Sequence, residues 1–230
     1  MIGVLPNVPV VPIGDNGANA VVTPNGEGLG TTGTGTENPI FGNVVPPSMG
    51  IFSDTPTNAW YYNAVAFVTA RGLFHGYGNG IFAPNDSMTR AMFVTVLHNL
   101  EGRPAPSGQA RFTDVAVTAW EHDSVQWAAE NGIVSGIGGG LYAPSQAITR
   151  QEMAVMLSNY ADYKGVGLPA LRDMPSFADS ADIAEWARTA VERLARAGVI
   201  SGDNNLIMPR KEASRAEVAQ VFMNFVGFLD

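Results

Sequence analysis

One phrase is written three times in this chain, as Thr89-Arg90-Ala91-Met92, Thr149-Arg150-Gln151-Glu152 and Ser214-Arg215-Ala216-Glu217. Pro84, Pro144 and Pro209 each stand five residues before the Thr or Ser, and each phrase opens an apolar helical pattern. Internal repetition constrains the fold more than any other feature here. A single copy cannot bury its apolar face, so neighbouring copies must do it together. Ser or Thr followed three residues later by Glu is a capping box, which satisfies free N–H groups of a helix's first turn. The second and third copies have it as Thr149/Glu152 and Ser214/Glu217, whereas Met92 leaves the first with Thr89 alone. The arginine is the unusual member. A cation in the first turn faces the positive end of the helix dipole, at a cost of about 0.3–1 kcal/mol when exposed. Three such arginines imply either a carboxylate brought from elsewhere or an anionic ligand, which helix N-termini accept readily.

The repeats begin at Phe52-x-Asp54, Phe112-x-Asp114 and Phe177-x-Asp179, with periods of 60 and then 65 residues. The separation from Asp to Arg is nevertheless 36 residues each time: Asp54 to Arg90, Asp114 to Arg150 and Asp179 to Arg215. The five extra residues fall between repeats, at 164–175. Each repeat has two runs with helical spacing. The first contains Trp60, Ala64, Phe67 and Val68, then Trp120, Val125, Trp127 and Ala128, then Trp186, Ala190, Val191 and Leu194. It stops at Gly72, Gly132 or Gly198, the glycine expected at a left-handed C-terminal cap. Glycine-bearing loops follow at 76–80, 136–140 and 202–205, and then the proline and the second run.

Residues 1–50 differ from the rest: they are rich in Gly, Pro, Thr and Asn, and the first Lys or Arg of the chain is Arg71. They are expected to form a linker or extended arm, with 8–13 and 40–45 as segments that could dock on the domain. Of 230 residues 46% are hydrophobic, enough for a sizeable core, and there is no cysteine for a disulfide or thiolate metal site. Net charge is −8, which argues against nucleic acid as a partner and makes any anion recognition local. No run of about 18 apolar residues suggests a transmembrane helix. The N-terminus lacks the pattern of a signal peptide, as expected of a mature product, a fragment or a cytosolic chain.

Phe-x-Asp, a tryptophan, the capping glycine, a glycine-rich turn, an aromatic two residues before the proline and Thr-Arg-x-Glu together resemble the S-layer homology repeat. The resemblance covers about residues 51–228. It implies an all-α fold in which repeats at 51–105, 111–165 and 176–229 form one three-pronged, pseudo-threefold domain around a central three-helix bundle. It implies a non-catalytic anchoring module at the bacterial cell surface, whose partner is a cell-wall polysaccharide, often with a pyruvylated sugar, or a peptidoglycan-linked glycan. Ligands of that family lie in grooves between repeats. The matching positions are Arg90, Arg150, Arg215, Asp54, Asp114, Asp179, Trp60, Trp120 and Trp186, with loop glycines including Gly78 and Gly138. Met92 in place of a carboxylate predicts an altered first site. Repeat three, with its shortened loop and Met208 before the proline, predicts a weakened third groove. One or two competent grooves are therefore expected rather than three.

Simpler readings stand beside these. Each arginine could form a salt bridge with the aspartate 36 residues earlier and clamp its own repeat. The functional reading instead needs a guanidinium fork offered to a ligand carboxylate. The tryptophans sit at helical spacing and are expected chiefly in the core; stacking on a sugar would need an exposed face. The simpler reading of the loop glycines is that they supply positive φ angles. His75, His98 and His122 have no metal-ligand spacing, and Ser135 and Ser201 lack the nucleophile-elbow pattern. Asp203-Asn204-Asn205 has acceptor oxygens but no downstream EF-hand glutamate. No acid/base pair stands out, and no catalytic centre or cofactor is expected. The alternatives to a glycan anchor are a module for protein–protein assembly with other surface-layer proteins, and part of an enzyme whose catalytic portion lies outside this chain.

Overall fold

The computed structural model describes residues 51–108 and 111–229. The expected N-terminal arm, with its two candidate docking segments, lies outside the described residues. The rest is helical: α1 (Tyr62–Ala70) and α2 (Arg90–Leu100), α3 (His122–Glu130) and α4 (Arg150–Tyr163), α5 (Glu185–Arg196) and α6 (Arg215–Val226), with a 3₁₀ turn at Ser180–Asp182. Among the described residues β-pairing is confined to isolated bridges. No described helix is long and apolar enough to cross a membrane.

The helix ends follow from the residues the sequence places there. Gly72, Gly132 and Gly198 have φ of 66°, 69° and 77°. In the first repeat Leu73 N–H donates to the Val68 carbonyl and Gly72 N–H to the Thr69 carbonyl, the pairing of a Schellman cap. At the other end Thr89 accepts from Met92 N–H, while α4 and α6 start with complete capping boxes. Between the helices the aspartates hold the loop. Asp54 accepts from Phe82 N–H at 2.9 Å and Ala83 N–H at 2.6 Å. Asp114 does the same for Tyr142 and Ala143, and Asp179 for Ile207 and Met208. Ala83, Ala143 and Met208 have φ of 57°, 59° and 49°, a left-handed conformation that a side chain disfavours. The carboxylate grips the chain at this strained residue.

Helix packing runs between repeats. The second helix of each repeat lies against the first helix of another: α2 on α3, α4 on α5, and α6 on α1. The rings of Phe93 and Phe222 are 5.5 Å apart and those of Tyr160 and Phe225 6.0 Å, tying α2, α4 and α6 together. Within a repeat the second helix reaches back through an asparagine. Asn99, Asn159 and Asn224 donate to the carbonyls of Leu73, Ile133 and Val199. Between the repeats the chain closes a small ring. Met88 N–H donates to Ala213 O, Ala213 N–H to Ile148 O, and Ile148 N–H to Met88 O, at 2.8–2.9 Å. All three residues are buried. Each repeat therefore needs both others to satisfy its backbone, as a buried N–H must find an acceptor.

Two further features are structural. Gly76, Gly136 and Gly202 face the ring of the Phe-x-Asp phenylalanine: a Cβ on Gly202 would lie 2.5 Å from Leu206 O and from Phe177 Cε1. Gly202→Ala should lower stability by about 1–3 kcal/mol through overpacking, read as a shift of the urea midpoint. The connection after repeat one is clasped by Glu130, which accepts from Ser107 N–H, Gly108 N–H and Gln126 Nε2. The bonds from Ser107, then Gln126, bring its pKa down from the ordinary 4.5 to about 2. A depressed carboxylate stabilises the fold above its unfolded pKa and loses that effect as the pH falls. The stability difference between the wild type and Glu130→Gln should thus be full near neutrality and fade between pH 4.5 and about 2, as measured by urea melts across that range.

Candidate functional site

The three arginines cross from one repeat to another. Arg90 donates from Nε to Tyr142 O at 3.0 Å, from Nη2 to Ser135 O at 3.2 Å and from Nη1 to Glu152 Oε1 at 2.9 Å. Arg150 repeats the arrangement one step on. It donates to Ile207 O, Ser201 O and Glu217 Oε1 at 2.9, 2.6 and 3.0 Å. Arg215 turns to the first repeat and donates to Phe82 O and His75 O, both at 2.8 Å. Among the described residues no carboxylate forms an ion pair with it, and Met92 stands where Glu152 and Glu217 stand in the other copies. Its guanidinium lies over the rings of Tyr77 and Phe82, 4.6 Å from each centroid.

The glutamates work in two directions. Glu152 Oε2 accepts from Thr149 N–H and caps its own helix, while Oε1 takes Arg90. Glu217 Oε2 accepts from Ser214 N–H, and Oε1 takes both Arg150 and Lys211. Burial pushes the Glu217 pKa up, but the Ser214 N–H, Lys211 and Arg150 outweigh it and leave the group below its ordinary value. The carboxylate that offsets the disfavoured first-turn cation is thus supplied by a different helix.

These contacts correct several expectations. No Arg pairs with the Asp 36 residues before it, because both oxygens of each Asp hold its own loop. A fork offered to a ligand does not describe Arg90 or Arg215, which are 3% and 5% exposed and turned inward. The tryptophans do not pack in the core. Trp60, Trp120 and Trp186 are 63%, 62% and 59% exposed. Trp60 and Trp120 lie in the turns before α1 and α3 and Trp186 in the first turn of α5, so their run of helical spacing begins one turn too early. The buried indole is Trp127, stacked on His98 at 4.9 Å. Gly78 and Gly138, with φ of 91° and 104° and open space beside them, serve the loop turn.

A groove of about 740 Å³ opens beside Arg150. Trp60 and Ser87 of the first repeat border it, with Ser201, Asp203, Lys211, Glu212, Glu217 and Asn224 of the third. The loop that lines it is the shortened one of repeat three. Asp203 occupies the position of Tyr77 and so leaves Arg150 uncovered by a ring. Lys211 and Asn224 were not anticipated as lining residues; the nine-residue offset from each arginine to Asn99, Asn159 and Asn224 was a repeat signal available in the sequence.

The S-layer homology domain model matches residues 51–92, 111–154 and 176–219. The chain belongs to the S-layer homology domain family. It is 30% identical over 171 residues to the surface-layer 125 kDa protein of Lysinibacillus sphaericus, covering 73% of this chain and 14% of that protein. The amylopullulanase of Thermoanaerobacterium thermosulfurigenes is 29% identical over 74% of this chain and 9% of its own length. S-layer protein sap of Bacillus anthracis is 30% identical over 60% of this chain and 16% of its own. The chain thus spans less than a fifth of these relatives. Its three tandem S-layer homology repeats are all-α, with helices joined by loops and no strand among the described residues, in agreement with the sequence reading.

Breaking a buried ion pair by removing one partner is strongly destabilising, because the other charge stays buried. Glu152→Ala should therefore cost about 3 kcal/mol, since it strands Arg90 and removes a cap. Met92→Glu should act oppositely, adding about 1 kcal/mol by completing the first capping box and facing Arg215 with a carboxylate. Thermal and urea melts of the two variants test both signs.

Proposed function

We propose that this chain is a non-catalytic anchoring module of the bacterial cell surface that binds a cell-wall polysaccharide in the groove between its third and first repeats. The observation that carries the reading is the groove itself: an exposed indole, Trp60, stands over a polar cleft that also contains Arg150, Lys211 and several carboxylates. An aromatic face suits the apolar face of a sugar ring, and charged and amide groups suit its hydroxyls. Membership of the S-layer homology family, with relatives named as surface-layer proteins and as an enzyme of far greater length, supports an anchoring role over a catalytic one. In this reading Arg150 and Trp60 touch the glycan. Arg90, Arg215 and the three aspartates hold the loops, and Trp120 and Trp186 occupy the corresponding places at the other two repeat boundaries. The pseudo-threefold, three-pronged form belongs to the same proposal and is supported by the cyclic order of the inter-repeat contacts.

Purified Gram-positive sacculi, with and without acid extraction of their wall polysaccharide, test this reading. Co-sedimentation of the full chain should be strong on intact sacculi and largely lost on extracted ones. Trp60→Ala should weaken it about tenfold, in line with the loss of a stacked aromatic. Equal retention on both kinds of sacculi would reject the polysaccharide as the ligand. Concentration-dependent oligomers with no sacculus binding would favour the assembly-module reading.

A further inference from the structure

The joints between repeats are built from corresponding positions but different side chains. Eight residues after the arginine stand His98, Ser158 and Met223; five before the capping glycine stand Trp127, Arg193 and Phe67. In the α2–α3 joint His98 stacks on Trp127, with centroids 4.9 Å apart. In the α4–α5 joint Ser158 Oγ accepts from Arg193 Nη1 at 3.1 Å. Of these six residues, only His98 changes charge near neutral pH.

His98 is 2% exposed, and its neighbours Trp127 and Ser124 are as deeply buried. Its Nε2 lies 2.9 Å from Pro104 O and its Nδ1 3.0 Å from Ser124 Oγ. A carbonyl only accepts, so Nε2 carries the ring proton and Nδ1 accepts from the Ser124 hydroxyl. The neutral ring is thus satisfied at both nitrogens. A proton on Nδ1 would turn Ser124 Oγ into an acceptor and leave its hydroxyl proton seeking another partner inside the joint.

No carboxylate pairs with His98 among the described residues. Asp123, on α3, takes His122 Nδ1 at 2.9 Å and is largely in solvent. Glu101 takes Tyr160 Oη and Lys164 Nζ from α4 and its end. Glu130 holds Ser107 and Gly108, and Glu121 stands at the start of α3. Arg103 brings a like charge from the connection after α2. A cation in the last turn of α2 suits the helix dipole and an indole face, but desolvation prevails. Burial pushes the His98 pKa below its ordinary 6.5, with Arg103 acting the same way and the Pro104 carbonyl and Asp123 acting against it.

We propose that the joint of His98 and Trp127 is an acid-sensitive latch between the first two repeats: proton uptake by His98 loosens α2 from α3. Trp60 belongs to the repeat that α2 completes and Arg150 to the repeat that α3 opens, so the latch also sets how firmly two sides of the groove are held. The inference does not depend on which ligand the groove takes. A group neutral in the fold and more basic when unfolded stabilises fully above pH 6.5 and loses that effect as the pH falls.

Urea melts of the full chain between about pH 7.5 and 5 test the latch, a range above the Glu130 transition. The wild-type folding constant should fall about tenfold more across that range than that of His98→Gln, which keeps a donor and an acceptor but takes up no proton. Equal slopes for the two proteins overturn the proposal, as does a slope removed by His75→Gln or His122→Gln instead. Proton NMR of the wild type gives a check that needs no variant. The His98 ring, identified by its cross-peaks to Trp127, should titrate below the ordinary histidine value, and titration at or above it overturns the latch. Hydrogen exchange, corrected for its intrinsic pH dependence, should place the acid-induced loss of protection in α2 and α3. Equal loss in α4 and α5 overturns the assignment to this joint.

Discussion

The glutamate of the repeated phrase couples two levels of structure through its two oxygens. One oxygen caps the helix it begins; the other takes the guanidinium of the preceding repeat. Helix initiation and assembly of the repeats therefore share a carboxylate. A first-turn arginine, disfavoured by its own helix dipole, becomes acceptable because a partly buried carboxylate from another helix stands against it. Where Met92 interrupts the scheme, Arg215 keeps the two carbonyl acceptors that the other arginines also have and lies over the rings of Tyr77 and Phe82. The interruption leaves the contact order intact, because the backbone ring of Met88, Ile148 and Ala213 holds independently of the side chains.

This arrangement makes the sequence repeat and the packing unit different things. Helices pack with partners from other repeats, and each arginine closes on a loop that is not its own. The groove is assembled in the same way, from a tryptophan of the first repeat, an arginine of the second, and a loop and helix of the third. No repeat could form it alone, and loosening any one of the three would open it. Burial of the arginines is consistent with this: each donates to the carbonyls of a loop in another repeat, and Arg150 also lines the groove.

Much of this was legible from residue spacing. The Schellman glycines, the two complete capping boxes and the incomplete one at Met92 are local, set by a few neighbouring residues, and they stand where the sequence placed them. Helical spacing misplaces the tryptophans because it identifies a face only once the helix start is known, and here the helices begin after Trp60 and Trp120. Spacing misassigns the arginine partners for another reason. A constant interval of 36 residues from Asp to Arg looks like a contact, but it reflects two separate contacts that each recur: the aspartate on its loop and the arginine on the next repeat.

By itself the sequence determined the number of repeats, their helices and caps, and the residue types that each loop must carry, because hydrogen bonding at helix ends and apolar periodicity act over a few residues. Only the tertiary structure decided which carboxylate meets which arginine, which indole faces water, and where the groove lies. Those outcomes depend on which repeat packs against which, and a long-range choice of partner leaves no mark in local spacing.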